Sequence, residues 1–222
     1  MFNRFFNKEG PDFWNEYSMH FRNKPVQDLD KVRFVIFDTE TTGLNVVNDR
    51  VLSIGAIGVK KNAMMVSDSF EIYLEQEIFD AKSVEIHGIL KGGKIVKQTE
   101  KEAIMSFLGY IENAVLVAHH AAFDIAMINA GLKRMGLPKL KNKVLDTGIL
   151  FKKAHFCDDK MKHFSLDYLS TLFKLKNHDR HTAAGDAFLT GMIFIKIVSS
   201  LRKIRKITLK DLFFNSNRRG LL

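Results

Sequence analysis

The chain has 222 residues, 46% of them hydrophobic and 27% charged, a balance that suits a self-contained core and excludes fibrous or low-complexity sequence. Its single cysteine, Cys157, cannot close an intrachain disulfide, which excludes a disulfide-stapled secreted scaffold and points to a reducing cytoplasm. Lys and Arg number 34 against 25 Asp and Glu, and the net +9 fits a polyanionic partner without requiring one.

Residues 1–32 read as an extension ahead of the main domain. Arg4, Lys8 and Glu9 interrupt any hydrophobic signal region, and the segment carries seven aromatics, among them Phe13, Trp14, Tyr17 and Phe21. Docking on its own domain is preferred over a free partner-binding arm. Residues 33–37 (RFVIF), 51–59 (VLSIGAIGV) and 69–74 (SFEIYL) are β-branched or aromatic runs separated by turn-rich sequence, which predicts three successive antiparallel strands. The rhythm then changes: helix 100–113, strand 114–118, helix 123–135, strand 143–145, helix 165–175 and a long helix over 182–204. Alternation of this kind gives parallel strands with helical crossovers. The expected fold is α/β, a mixed sheet of about five strands with helices on its faces and a ligand site outside the carboxyl ends of the strands. No uncharged run of about 18 apolar residues offers a membrane span, since 114–132 contains two His, one Asp and one Asn. The main domain is expected over 33–200 and a basic tail over 201–222.

Four acids stand where acids are rare. Asp38 and Glu40 end the first apolar strand in FVIFDTETTGL, and a spacing of two in an extended chain puts both on one face. Asp124 is the sole charged residue of 114–132 and shares a helical face with Met127, Ile128 and Leu132. Asp186 is the sole charged residue of 181–195. Such acids repel and take up protons unless a cation neutralises them, and no Lys or Arg lies within these runs. Oxygen ligands without a cysteine cluster favour Mg²⁺ or Mn²⁺, and the set suggests a two-ion phosphoryl-transfer site. His181, five residues before Asp186, has the chemistry to accept a proton from water.

Three segments in order, FDTETTGL (37–44), AHHAAFD (118–124) and HTAAGDA (181–187), resemble the three motifs of the DEDDh 3′–5′ exonucleases, the DnaQ-like branch of the ribonuclease H-like fold. EIHGI (85–89), VLDTGIL (144–150) and SLDYLSTLF (165–173) are similar to further segments of that family, and the resemblance covers about 33–200. It implies Asp38, Glu40 and Asp186 as metal ligands, Asp124 as a ligand to a second ion directly or through water, and His181 as general base. It also implies Thr41, Thr42 and Leu44 around the terminal nucleotide, with His87 and Phe123 beside them and Leu44 as a wedge. His120 stands where the family usually has Asn, which leaves that substrate contact open. Asp146 is expected to cap a helix. The implied reaction is metal-dependent release of nucleoside 5′-monophosphates from a free 3′ end, DNA ahead of RNA, with a DNA polymerase as a further partner. An exoribonuclease and a non-catalytic nucleic-acid or polymerase-binding module remain the alternatives. Arg202, Lys203, Arg205 and Lys206 read as a backbone-binding handle, in competition with a docking role for 207–214.

Overall fold

The computed structural model describes residues 10–77, 88–89, 95–154 and 164–213. The expectations that fall on Phe2, Phe5, Phe6 and His87 lie outside them.

Among the described residues five strands form: β1 (Phe34–Thr41), β2 (Val51–Lys60), β3 (Ala63–Tyr73), β4 (Val115–Ala118) and β5 (Val144–Asp146). They form one sheet in the order β3-β2-β1-β4-β5. The β3/β2 and β2/β1 pairs are antiparallel, and the β1/β4 and β4/β5 pairs are parallel. This is the expected mixed sheet, with one change that matters. Instead of ending β1, Asp38 and Glu40 lie within it, paired across to Gly55 and Ser53 of β2.

Around the sheet lie α1 (Asp12–Met19), α2 (Glu100–Ile111), α3 (Ala122–Arg134), α4 (Thr147–Lys153), α5 (Leu166–Leu172), α6 (Ala183–Ile204) and α7 (Leu209–Phe213). Local chemistry starts several of them. Thr99 and Glu102 close a reciprocal capping box on α2, Ser165 caps α5, and the Thr182 side chain accepts from the Gly185 amide at the head of α6. Asp146 caps α4 as expected, accepting from Gly148 and Ile149, and its other oxygen accepts from Ala121 at the head of α3.

Strand periodicity divides the core in two. Phe34 and Ile36 face one layer with Ile193 and Phe194 of α6, while Val35 and Phe37 face the other with Phe107 of α2 and Met127 of α3. By length and composition α6 alone among the described helices could cross a bilayer, but it packs across β1 and β2 as a core helix does. Trp14 and Tyr17 of α1 are buried in the α2 layer, and Ile207, Leu209 and Leu212 are buried in the α6 layer. Both extensions, where described, are therefore docked on the domain. Two of the four cations expected as a handle at the end of α6 form ion pairs within the chain: Arg202 with Asp30 and Arg205 with Asp211.

Candidate active site

Alternation along β1 decides which acids meet. Asp38 and Glu40 continue the even face that carries Phe34 and Ile36, so they look toward α6, where Asp186 occupies the first turn. One oxygen from each of Asp38, Glu40 and Asp186 lies within 4.8 Å of the others. The approach depends on Gly55, the β2 partner of Asp38. A Cβ at that position would run into the backbone of Ala183 and Ala184, so only glycine lets the head of α6 rest on the sheet there.

Asp124 arrives from the opposite layer. It sits in the first turn of α3 without capping it, since Ala121 is the N-cap and makes no side-chain cap. Its Oδ1 accepts from the Thr39 amide at 3.0 Å and from Thr39 Oγ1 at 2.7 Å. Thr39, odd in the alternation, faces the α3 layer while its neighbours face α6, and the strand thereby holds acids on both sides of its end.

The electrostatics follow from crowding. Burial, and then Asp124, Asp186 and Glu40, hold the Asp38 carboxyl well above its ordinary range. Burial, and then Asp186 and Asp124, raise Glu40 to about 7. Asp124 is raised to about 7 by burial, against the pull of its hydrogen bonds to Thr39. Carboxyls held this way favour a hard divalent cation, and the donor set of oxygens alone fits Mg²⁺ or Mn²⁺.

The absence of a basic residue from the acid-bearing runs gave an incomplete picture, because a cation enters from just outside them. Arg180 donates through Nη1 to Asp186, and through Nε and Nη2 to Asp167 at 2.8 and 3.2 Å. It also opposes the upward shifts of Asp38 and Glu40.

His181 follows Arg180 directly. It is exposed, with φ +61, just outside the Thr182 cap of α6. His120 is likewise exposed and left-handed, with φ +58, a backbone region that Asn, Asp and His enter more readily than most residues. That conformation gives the histidine in the Asn position a physical basis. Its neighbour His119 is half-buried, with Nδ1 2.8 Å from Thr147 Oγ1, and burial with His120 alongside lowers it to about 4.

The expected nucleotide contacts surround the cluster unequally. Leu44 is 84% exposed at the tip of the loop after β1. Phe123 is half-buried at the head of α3. The hydroxyls of Thr41 and Thr42 serve the loop itself, donating to the Gly43 carbonyl and to Asp49 at 2.8 Å each.

A mixed sheet in this strand order, flanked by helices and bearing acids at the carboxyl end of its central strand, is a ribonuclease H-like architecture. Residues 35–194 match the exonuclease family model (RNase_T). The chain belongs to that exonuclease family, a group of nuclease hydrolases. It is 36% identical over 176 residues to the PolC-type DNA polymerase III of Caldanaerobacter subterraneus subsp. tengcongensis, a match covering 77% of this chain and 12% of that protein. The corresponding figures for the PolC-type DNA polymerase III of Halalkalibacterium halodurans are 35% over 170 residues, 74% of this chain and 11% of that one. The chain thus spans a small fraction of these relatives. Among solved structures, E. coli Exonuclease I in complex with a dT13 oligonucleotide superposes with a TM-score of 0.67 at 14% identity, covering 78% of this chain and 42% of that one. Exonuclease X in complex with 5′ overhanging duplex DNA gives a TM-score of 0.59 at 21% identity, covering 75% and 92%.

Proposed function

We propose that the chain is a metal-dependent 3′–5′ exonuclease that removes nucleotides from the free 3′ end of single-stranded or frayed DNA. The observation that carries this reading is the gathering of Asp38, Glu40 and Asp186 within 4.8 Å, with Asp124 held nearby by Thr39. Asp38, Glu40 and Asp186 would hold one Mg²⁺ or Mn²⁺, and Asp124, directly or through water, would help hold a second. Bound there, divalent ions supply positive charge against the phosphate and make water easier to deprotonate.

The chain's own residues then have defined tasks. His181 takes a proton from the attacking water. The water oxygen bonds to phosphorus as the bond to the 3′ oxygen breaks, and that oxygen leaves with a proton from solvent. The products are a nucleoside 5′-monophosphate and a shortened strand ending in a 3′-hydroxyl. Leu44 and Phe123 flank the terminal base, His120 lies beside it, and Thr41 and Thr42 set the loop that presents Leu44; a contact from His87 rests on the sequence resemblance alone.

DNA is favoured over RNA because the relatives are DNA polymerases and the solved neighbours carry DNA. The same likeness supports a replication-associated role in the cytoplasm with a DNA polymerase as partner. Residues 33–200 form the catalytic unit in this reading, with 1–32 and 201–222 as its extensions. Digestion of 5′-labelled DNA and matched RNA oligomers with Mg²⁺, Mn²⁺ or EDTA tests the proposal. A metal-dependent ladder shortening from the 3′ end, absent in folded Asp186→Asn protein, is the expected result. Shortening from the 5′ end, or unchanged turnover in Asp186→Asn, would overturn it.

A further inference from the structure

At the end of the sheet opposite the acids lies a cavity of about 440 Å³. Its floor is made by the first residues of β4 and those just ahead of β1 and β5, and its wall by the segment that follows α1. Lys24, Lys31, Arg33, Lys141 and Lys143 line it, and among the described residues no Asp or Glu does. Arg33 is paired with Asp68 and Lys31 lies near Asp28, which leaves Lys24, Lys141 and Lys143 as the cavity's main source of positive potential.

The site is firmly built beneath these side chains. The Tyr17 hydroxyl donates to Asn142 Oδ1 at 2.6 Å and accepts from the Lys141 amide at 2.8 Å. Asn142 Nδ2 reaches the carbonyls of Glu112 and Ala114 at 2.9 and 2.8 Å, and Asn113 ties down the His20 carbonyl at 2.8 Å. Leu209 closes the far side through its amide, which donates to Gln27. Arg33 is committed to Asp68, which offsets its charge, and to the Tyr110 carbonyl, so the exposed lysines supply both the net charge and the donors. Lys31 is 3.8 Å from Asp28, and both are exposed. Lys141 Nζ is 5.9 Å from the centre of the Trp14 ring and Lys143 Nζ is 5.4 Å from that of Phe213, aromatic contacts that restrain both ammonium groups without neutralising them.

We infer that this cavity binds a phosphate group. Its size suits a nucleotide, since small-ligand pockets run from about 300 to 1,000 Å³, and Phe21, Pro25 and Val26 offer an apolar wall beside the cations. The bearer is either a free nucleotide or a nucleic-acid strand. Asp38 lies five residues beyond Arg33 along β1, about 16 Å at ~3.3 Å per residue, so the bound phosphate is not the scissile one. The inference stands independently of the proposed reaction.

Trp14, the only tryptophan, reports on the site because it is buried next to Lys141. Its fluorescence is followed in EDTA while the full chain is titrated with inorganic pyrophosphate, with deoxythymidine 5′-monophosphate, and with a dT oligomer. Saturable binding of the first two, weakened at least about tenfold in Lys141→Gln/Lys143→Gln and again in Lys24→Gln/Lys31→Gln, identifies a free-nucleotide site. A response from the oligomer alone, lost in the same variants, identifies a strand phosphate. Absence of saturable binding of all three probes, or affinities unchanged in both double variants with folding verified by thermal melting, would overturn the inference.

Discussion

Arg180 Nη1 donates to Asp186, while the rest of the same guanidinium grips Asp167. The acid of α6 therefore faces a fixed cation before it faces a metal. In Arg180→Gln that competitor is gone, and Mn²⁺ should bind about three- to tenfold more tightly, on the order of 1 kcal/mol. The metal-free variant should also melt at a lower temperature, because the acids lose their counter-charge. Mn²⁺ titration by electron paramagnetic resonance, with melting curves in EDTA, checks both; an unchanged Mn²⁺ affinity would mean that Arg180 stays beside Asp186 when the ion binds.

Glu40 makes metal-free stability fall with rising pH. Its carboxyl is raised from 4.5 to about 7 on folding, so its contribution is full below 4.5 and is lost as pH climbs through 7. Glu40→Gln cannot lose that contribution. In EDTA the variant should exceed the wild type by about 1–3 kcal/mol at pH 8 and match it near pH 4.5. Urea unfolding at the two pH values measures the difference.

His119 has the opposite sign. Its imidazole falls from 6.5 to about 4 on folding, so stability is complete above 6.5 and declines as pH drops toward 4. Comparing wild type with His119→Leu at pH 7 and pH 5 isolates the effect from the acids. The wild type should lose about 1–2 kcal/mol more than the variant over that interval, the figure being reduced because the ring is only half-buried. Parallel losses would place the protonation elsewhere.

His181→Ala should lower kcat about 10²–10⁴-fold while strand affinity stays within a small factor, the pattern of a lost proton acceptor. Single-turnover rates and EDTA binding curves separate the two quantities. Weakened binding with a normal rate would make His181 a substrate contact instead.

Leu212, 4% exposed, tests the docked tail. Leu212→Ala should cost about 2–4 kcal/mol, as for other large-to-small core changes, with little effect on turnover at saturating substrate. Thermal melting alongside steady-state assays provides the comparison. A stability loss under 0.5 kcal/mol, the usual range for a surface change, would mean that the tail contributes little to the folded domain.

Periodicity along the chain carried the sheet and the pairing of Asp38 with Glu40, because alternation and apolar runs are local properties. Asp146 as a cap was legible for the same reason. The chain did not declare α1, which is short and held by tertiary contacts such as the Tyr17–Asn142 hydrogen bond. Two parts of the site were hidden differently. Arg180 sits in the polar loop HDRHT, where its charge looks solvated until the fold brings Asp167 and Asp186 to either side of it. Thr39 gains its task only when α3 returns on the opposite layer, 85 residues later in the chain. Partnerships that depend on a crossover leave no trace in local spacing.

Gly55 gives the acid cluster a mechanical weak point with no chemistry of its own. The gap between β1 and the head of α6 is set by an absent side chain, so one methyl group at that position acts as a wedge. Gly55→Ala leaves every carboxyl unaltered, yet its methyl group would push the Ala183–Ala184 backbone, and Asp186 with it, away from Asp38 and Glu40. A glycine with no ligand atom thus governs the spacing of the acids, and an inventory of carboxylates alone would not reveal its loss.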